Sequence, residues 1–346
     1  MATADVTVLG AGAFGLSVAY CCAQRGAKVR VIDPAGVAAG ASGGVVGALA
    51  PHVPENWNSK KAFQFESLIA AAPFWAEVEQ IGGRSAGYLR SGRLQPINDA
   101  RSLELAHQRH VSAQSLWQGQ AEWNVVPAEG HSGWAPSSET GYLIHDTLTA
   151  RIHPRQATQA LAAALIALGG EVVADGPKQG AIVHATGWRG LMELSDTYGK
   201  NVGNGVKGQA AVLRFDAVDR PQLFADSLHI VPHGDGTVAI GSTSERDFVD
   251  PDATDNQLDD VIERAIRAFP ILAGAPVIER WAGVRPRAKS RAPMLGAYPH
   301  RSGEFIANGG FKIGFGMAPK VGAVMADLIL TGHDAIPEDF RVEASL

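Results

Sequence analysis

Cysteine is nearly absent from this chain, whose 346 residues include only Cys21 and Cys22. Because the two are adjacent, their side chains diverge in a helix and cannot together form an ordinary disulfide or a metal site. We therefore predict no bound metal, and we expect both thiols to be packed in the interior. An excess of positive charge is also absent. The net charge of −5 gives no general attraction to nucleic acid or to an anionic membrane, so we predict no nucleic-acid partner.

Targeting and membrane-spanning patterns are missing as well. The first apolar strand candidate begins within a few residues of Met1, which leaves no room for a basic and apolar leader. No apolar run has the length that we expect of a membrane span. We therefore expect a cytoplasmic protein without a membrane span. The chain does contain 46% hydrophobic and 19% charged residues, enough to bury a large core in about two domains.

The prediction of a fold starts from a glycine-rich turn near the beginning of the chain. Gly10, Gly12 and Gly15 form a Gly-x-Gly-x-x-Gly pattern between an apolar strand candidate and a helical pattern. The first glycine permits a tight turn, the second lets the backbone approach a diphosphate, and the third lets helix and strand pack closely. Asp33 ends the next strand candidate, 18 residues after Gly15. This spacing is close to the ~20 residues typical of an acid that binds a ribose hydroxyl, so we predict a dinucleotide-binding unit.

A second glycine-rich segment, residues 36–47, has too little side-chain volume to form a core element. Its composition would let the backbone and the Ser42 hydroxyl lie against a large flat ligand. The alternative is a flexible linker, although a run of Gly, Ala and Val with a single Ser is too apolar for that role. We favour the ligand-contacting interpretation.

The middle of the chain predicts a discontinuous parallel domain and a separate antiparallel sheet. Pro154 begins a predicted helix, and strand candidates follow at 171–174 and at 181–185, just before Gly187. We place further helices near 62–79, 103–117 and 258–269, a strand over 88–97, antiparallel strands over 206–215, 227–231 and 237–242, and Trp123, Trp134 and Tyr142 in loops. The predicted class is α/β: a Rossmann-like domain assembled from separate segments, with a second α+β domain built on an antiparallel sheet.

The C-terminal part of the chain contains a third glycine-rich segment. A strand candidate ending at Asn308 is followed by a loop that contains Gly310, Gly314 and Gly316, and then by an apolar helix that we start near Pro319. A helix N-terminus after a glycine loop favours bound negative charge. Two such sites suit a long ligand that has a diphosphate at one end and an electron-accepting ring at the other.

These motifs resemble those of the flavin amine and amino-acid oxidases, the family that includes glycine oxidase and D-amino-acid oxidase. The matching stretches are 10–15, 40–43, 206–209, 230–232, 241–243, 281–286, 293–296 and 310–319, with 340–342 similar to the tail of glycine oxidase. Together they extend over nearly the whole chain in the family's order. The resemblance is therefore more specific than the dinucleotide motif alone.

The resemblance implies FAD as the cofactor. It is expected to be noncovalent, because the chain has no cysteine where related sarcosine oxidases attach flavin. The family more often has Glu at the position of Asp33, which leaves NAD formally open. Residues 1–83, 143–204 and 284–346 would form the FAD-binding domain, and residues 84–142 and 205–283 the substrate-binding domain. The implied cofactor-binding residues are Gly10, Gly12, Ala13, Phe14, Gly15, Asp33, Ala41, Ser42, Gly43, Gly187, Gly310, Lys312, Gly314 and Gly316.

The resemblance also names substrate-site candidates, for which we predict catalytic roles. Arg285 resembles the family's carboxylate clamp, whose guanidinium fork makes two parallel charge-assisted bonds; the alternative is a solvated surface arginine. Lys312 stands where glycine oxidase has another arginine, and it would bind substrate, lie beside the flavin or form a salt bridge elsewhere. His229 replaces a tyrosine, and it would bond the substrate or be a packed core histidine. Ser244 replaces a methionine, with no assigned role.

We therefore expect an FAD-dependent oxidoreductase that oxidises the C–N bond of a small amine or amino acid, of the glycine, sarcosine or D-amino-acid type, to an imine. The expected electron acceptor is O2. The alternatives are a dehydrogenase that uses a quinone or a protein acceptor, and a non-catalytic FAD-binding protein. A homo-oligomer is compatible with the sequence.

Overall fold

The computed structural model describes residues 3–131 and 133–346 of the chain. The helices of these residues are α1 (Ala13–Gln24), α2 (Ser59–Gly82), α3 (Ala100–Leu116), α4 (Pro154–Ala167), α5 (Gly187–Tyr198), α6 (Asn256–Ala268) and α7 (Gly314–Thr331). The strands are β1 (Val6–Leu9), β2 (Val29–Ile32), β3 (Ala48–Leu49), β4 (Arg93–Pro96), β5 (Trp123–Pro127), β6 (Tyr142–Asp146), β7 (Ala150–Arg151), β8 (Glu171–Val173), β9 (Ala181–His184), β10 (Gly203–Arg214), β11 (Gln222–Ala225), β12 (Leu228–Pro232), β13 (Thr237–Gly241), β14 (Val277–Ala288), β15 (Met294–Ala297) and β16 (Glu304–Asn308).

One sheet has the order β15-β16-β9-β1-β2-β8, and only β15 runs antiparallel to its neighbour. Its parallel strands come from the beginning, the middle and the end of the chain, which confirms the predicted discontinuous Rossmann-like domain. The side chains of Val6 and Val8 in β1 are fully buried. Strands of this kind are largely apolar because helices cover both faces of a parallel sheet. Helices α1, α2, α4 and α7 pack against one another and contribute much of the largest core cluster.

The second sheet has the order β14-β10-β13-β12-β11-β4-β6-β5, with α6 packed on β10, β12 and β13. The predicted antiparallel strands β10, β12 and β13 are confirmed. The placement of Trp123 and Tyr142 in loops was wrong, because they begin the paired strands β5 and β6. Trp123 is also 1% exposed, since its ring packs against Trp117 at the end of α3. Trp134 does lie between strands, and its indole N–H donates to the Pro221 carbonyl at 2.8 Å.

The predicted domain boundaries do not coincide with the ends of strands. Strands β6, β10 and β14 each run across a predicted boundary, and all three belong to the second sheet. The division into two domains at those boundaries stays a prediction.

Helix α7 differs from the prediction in its first residue and in the length of its apolar sequence. It starts at Gly314 and carries Pro319 inside, five residues after its first residue, so the predicted start near Pro319 was wrong. It is also the one helix of the described residues that is long and apolar enough to cross a membrane, which corrects the expectation that no such run exists. Half of this stretch is buried within the protein. Packing against α1 and α2 accounts for its apolar composition.

Candidate active site

A cavity of about 940 Å³ opens at the carboxyl ends of the parallel strands. Leu9 at the end of β1, Ile32 at the end of β2 and Ala185 just after β9 contribute to its lining. Chain order reverses between β1 and β9, and open α/β sheets bind ligands at such switch points. The volume lies at the upper end of the ~300–1,000 Å³ usual for ligand pockets.

The first glycine turn forms one end of this cavity. Gly10 has a φ of +111°, and a Cβ added there would lie 2.3 Å from the Ala185 carbonyl oxygen, so only glycine fits. The Asp33 carboxylate accepts a hydrogen bond from the Ala11 N–H at 2.8 Å. The Ser42 hydroxyl accepts one from the Ala13 N–H at 2.9 Å. These bonds hold the turn, the acid at the end of β2 and the second glycine-rich segment together around the cavity.

The sequence-predicted cofactor residues meet here with two exceptions. Those that line the cavity are Gly10, Gly12, Ala13, Phe14, Asp33, Ala41, Ser42, Gly187, Gly310, Lys312, Gly314 and Gly316. Gly15 and Gly43 do not line it, because both pack directly against backbone. An added Cβ would lie 2.0 Å from the Gly10 carbonyl oxygen at Gly15, and 2.1 Å from the Ala38 carbonyl oxygen at Gly43. Their part is to permit close packing, as the sequence predicted for Gly15.

The C-terminal glycine loop and the N-termini of three helices lie at the same cavity. The Phe311 N–H donates to the Pro286 carbonyl at 2.9 Å, which fastens the loop to β14. The Asn308 amide donates to the Gly187 carbonyl at 2.9 Å and so ties the loop to the start of α5. Helices α1, α5 and α7 begin at this cavity without a side-chain cap from their N-cap residues. Their N-terminal N–H groups favour negative charge in the cavity.

The Arg285 side chain extends from β14 and lines the cavity. Its Nη2 donates to the Ser242 hydroxyl at 2.7 Å and to the Thr243 carbonyl at 3.1 Å. Its Nη1 is buried and has no partner among the described residues. Burial lowers the pKa of Arg285 to about 10, and the nearby Glu245 carboxylate opposes that shift. This position does not suit a solvated surface arginine. A buried guanidinium with one free edge is suited to a carboxylate ligand.

His229 and Lys312 line the cavity as well. The His229 ring lies 4.7 Å from the Phe224 ring, centroid to centroid, and its Nδ1 is buried without a partner. Burial, helped by the positive charges of Arg93 and Lys312, lowers the pKa of His229 to about 3, so the ring is neutral. Lys312 Nζ lies 5.7 Å from the centroid of the Phe311 ring. The salt bridge elsewhere that the sequence left open is not found among the described residues. Ser244 is exposed outside the lining.

Three further residues shape the site and were not assigned roles from the sequence. Ser242 orients the guanidinium of Arg285, and Trp281 lines the cavity with its ring against Gly44. A Cβ added at Gly208 would lie 1.5 Å from Arg285 Nη2, so this glycine makes the space that the guanidinium occupies. All three lie in stretches that carried the family resemblance. Their roles depend on strand register, which the stretches alone did not give.

The fold and the site define a flavin-dependent oxidoreductase. The chain belongs to the DAO family of FAD-dependent oxidoreductases, whose sequence profile matches residues 5–328. Among its relatives, the bifunctional protein ThiO/ThiG of Trichormus variabilis is 26% identical over 362 residues, covering 95% of this chain and 53% of that protein. The chain spans about half the length of such bifunctional relatives. Glycine oxidase of Pseudomonas putida is 26% identical over 385 residues, covering 99% of each chain.

The crystal structure of glycine oxidase from Geobacillus kaustophilus has the same fold. It superposes with a TM-score of 0.85 at 19% identity and covers 98% of each chain. The expected resemblance to amino-acid oxidases and the expected FAD cofactor are confirmed. This chain is an FAD-dependent oxidoreductase of the DAO family.

The residues present fit FAD. The Gly10–Gly12 turn lines the cavity at the start of α1 and suits the diphosphate, and Asp33 suits the ribose. The start of α7 suits a ring that gains negative charge. Neither cysteine of the chain lines the cavity, and noncovalent binding of the flavin stays a prediction.

Proposed function

We propose that this enzyme oxidises the C–N bond of a small amino acid, of the glycine, sarcosine or D-amino-acid type, to an imine, with O2 as the electron acceptor. The observation that carries the proposal is the buried guanidinium of Arg285, whose Nη1 has no partner among the described residues and which lines the same cavity as the predicted flavin residues. A free guanidinium edge next to a flavin site favours a substrate with a carboxylate.

The side chains of the cavity suit this reaction. Bound FAD supplies the acceptor for a hydride from the carbon next to nitrogen. Arg285 binds the carboxylate, and Ser242 holds the guanidinium in place, so the substrate is held in one orientation. His229 is neutral and can form a hydrogen bond with the substrate without adding charge. The positive charges of Arg285 and Lys312 disfavour a protonated substrate amine, which favours the neutral form that is oxidised.

Anaerobic mixing of the purified, FAD-loaded protein with substrates tests the proposal. Glycine, sarcosine and D-alanine are compared with methylamine, dimethylamine and ethylamine, the matched amines that lack the carboxylate. We expect at least one of the amino acids to bleach the flavin absorbance, and its matched amine to bleach it far more slowly. If no amine or amino acid bleaches the flavin, the protein does not catalyse this reaction.

The electron acceptor is tested separately with whichever substrate reduces the flavin. We expect admission of air to restore the flavin spectrum and to produce hydrogen peroxide in proportion to substrate consumed. Slow reoxidation in air together with fast reoxidation by a soluble quinone would contradict O2 as the acceptor.

A further inference from the structure

One wall of the cavity carries two cationic side chains that lie on adjoining pieces of backbone. Arg285 is on β14, and Lys312 is on the glycine loop that the Phe311 N–H fastens to the Pro286 carbonyl at 2.9 Å. Both side chains line the cavity. A third cation adjoins them, since the Arg287 guanidinium lies 5.4 Å from the centroid of the Phe311 ring that Lys312 also approaches.

Arg285 and Lys312 have no acidic partner among the described residues. The hydrogen bonds of Arg285 go to a neutral hydroxyl and a carbonyl. Glu245 is close to Arg285, but the Glu245 carboxylate accepts bonds from Thr243 and Gln209, and it lies 3.9 Å from Lys207 Nζ. A buried lysine therefore balances much of its charge already.

The acidic side chains that line the cavity are Asp33 and Asp252. Asp33 lies at the dinucleotide end, where its carboxylate accepts bonds from the Ala11 and Ala35 N–H groups. Asp252 forms no ion pair with Arg285 or Lys312 within the described part of the chain. The substrate end of the cavity therefore has two cations, Arg285 and Lys312, that form no ion pair with an acid of the described residues.

We propose, on the basis of the proposed function, that the substrate carries two carboxylates, one bound by Arg285 and the other by Lys312. A substrate with a single carboxylate would leave Lys312, an exposed side chain on the cavity lining, without an anionic partner. The two cations also suit two separate groups. The planar fork of Arg285 binds one carboxylate in a fixed orientation, while Lys312 is a mobile point charge that reaches the other. The neutral surfaces of Phe224 and His229 line the same cavity. The substrate class is an amino dicarboxylic acid or an N-carboxyalkyl amino acid.

A pair of isosteric substrates tests this proposal in the FAD-loaded enzyme. D-aspartate and D-asparagine differ only in the charge of the second group, as do iminodiacetate and its monoamide. Anaerobic flavin bleaching measured against concentration gives an apparent Kd for each. We expect at least one acid of these pairs to bind about tenfold or more tightly than its amide, the range of a hydrogen bond to a charged group.

Substitution of Lys312 identifies the second binding group. We expect Lys312→Gln to bring the acid-to-amide ratio close to one, and Lys312→Arg to retain most of it. Lys289→Gln removes the same charge at an exposed position outside the lining, and it should leave the ratio as in the wild type. Equal affinity for acid and amide in the wild type would overturn the proposal, as would an unchanged ratio in Lys312→Gln.

Nonreacting ligands separate this inference from the proposed function. Succinate and succinamate are titrated into the FAD-loaded protein while the flavin absorbance spectrum is recorded, which requires no turnover. Tighter binding of succinate that depends on Lys312 supports the two-cation site even if no amine is oxidised. If sarcosine or D-asparagine reduces the flavin as well as the dicarboxylates do, the proposed function stands and the dicarboxylate inference fails.

Discussion

The position of the Arg285 side chain depends on the space beside a neighbouring glycine as well as on its own hydrogen bonds. Gly208 faces Gly283 across the β10–β14 pair, and the guanidinium of Arg285 occupies the space that a Cβ at Gly208 would fill. Ser242 and Thr243 then fix one edge of the guanidinium, and the other edge is free. The clamp thus depends on a residue that contributes no functional group.

Replacement of Gly208 by alanine tests this dependence. Because the new Cβ would lie 1.5 Å from Arg285 Nη2, the guanidinium must move. We expect Gly208→Ala to raise the KM for a carboxylate substrate about tenfold or more while FAD is retained, since misplacement of a charged clamp loses much of its bond energy. Steady-state kinetics and the flavin absorbance of the purified protein measure both effects.

Gly234 provides the control for this substitution. A Cβ there would lie 3.6 Å from Arg151 Nη2, an ordinary contact, and Gly234 is outside the cavity lining. Gly234→Ala should have near wild-type kinetics. A Gly208→Ala enzyme with an unchanged KM would show that the guanidinium does not bind the carboxylate from this position.

At the scale of elements, the strand β1, the turn and α1 determine where the dinucleotide lies. The left-handed φ of Gly10 and its contact with the Ala185 carbonyl join β1 to the chain that follows β9. We expect Gly10→Ala to lose FAD affinity and stability together, because the strained residue and the clash displace the turn. Bound flavin per chain and the thermal midpoint report the two effects.

Gly26→Ala is the matched control for Gly10→Ala. Gly26 also has a positive φ, of +86°, but a Cβ there meets nothing within 4 Å, and the residue is outside the cavity lining. This variant should cost about 1 kcal/mol of unfolding free energy from the backbone conformation alone and keep its FAD. If Gly10→Ala binds FAD as tightly as Gly26→Ala does, the turn is not the diphosphate site.

Elements with a strong local pattern could be predicted from the sequence. The apolar run and the glycine pattern after it predicted the strand, turn and helix that β1 and α1 form, because a tight turn between buried elements restricts residue choice locally. Pro154 similarly marked the first residue of α4. The chemical character of Arg285 followed from the family resemblance rather than from periodicity.

Other elements depend on contacts that a local pattern does not contain. Strands β5, β6 and β11 are short, and they are stabilised by pairing with strands that are distant in sequence, such as β11 with β4. Helix α7 continues through Pro319, and Met317, Ala318 and Pro319 are all buried there; tertiary packing of this kind, which a local pattern does not contain, supplies most helix stability. The space that Gly208 leaves for Arg285 required the register of β10 with β14.

At the scale of the whole molecule, a buried histidine links the second sheet to the glycine-rich segment 36–47. His233, just after β12, is 1% exposed, and its Nε2 donates to the Val45 carbonyl at 2.9 Å. Val45 belongs to the glycine-rich segment that lines the cavity. Burial first, and then the charge of His153, lower the pKa of His233 to about 4. The folded protein therefore keeps this ring neutral in a pH range where the unfolded chain protonates it.

This linkage predicts acid sensitivity. Between the unfolded pKa of about 6.5 and the folded pKa of about 4, the unfolded chain binds more protons, so stability falls as pH decreases through this range. We expect the thermal midpoint to fall from pH 7 to pH 5, and His233→Gln, which keeps a donor for Val45, to flatten that dependence. The same substitution at exposed His107 on α3 should not. Equal slopes in the wild type and His233→Gln would refute the linkage.

The most direct measurement of the central claim is the concentration dependence of anaerobic flavin reduction in the wild type and in Arg285→Met. The account predicts that the wild type is saturated by its carboxylate substrate, and that Arg285→Met keeps FAD but binds that substrate about a hundredfold more weakly, because a charge-assisted bidentate contact is lost. The matched amine that lacks the carboxylate should reduce both proteins alike. An Arg285→Met enzyme that is saturated by the carboxylate substrate at the wild-type concentration would contradict the account.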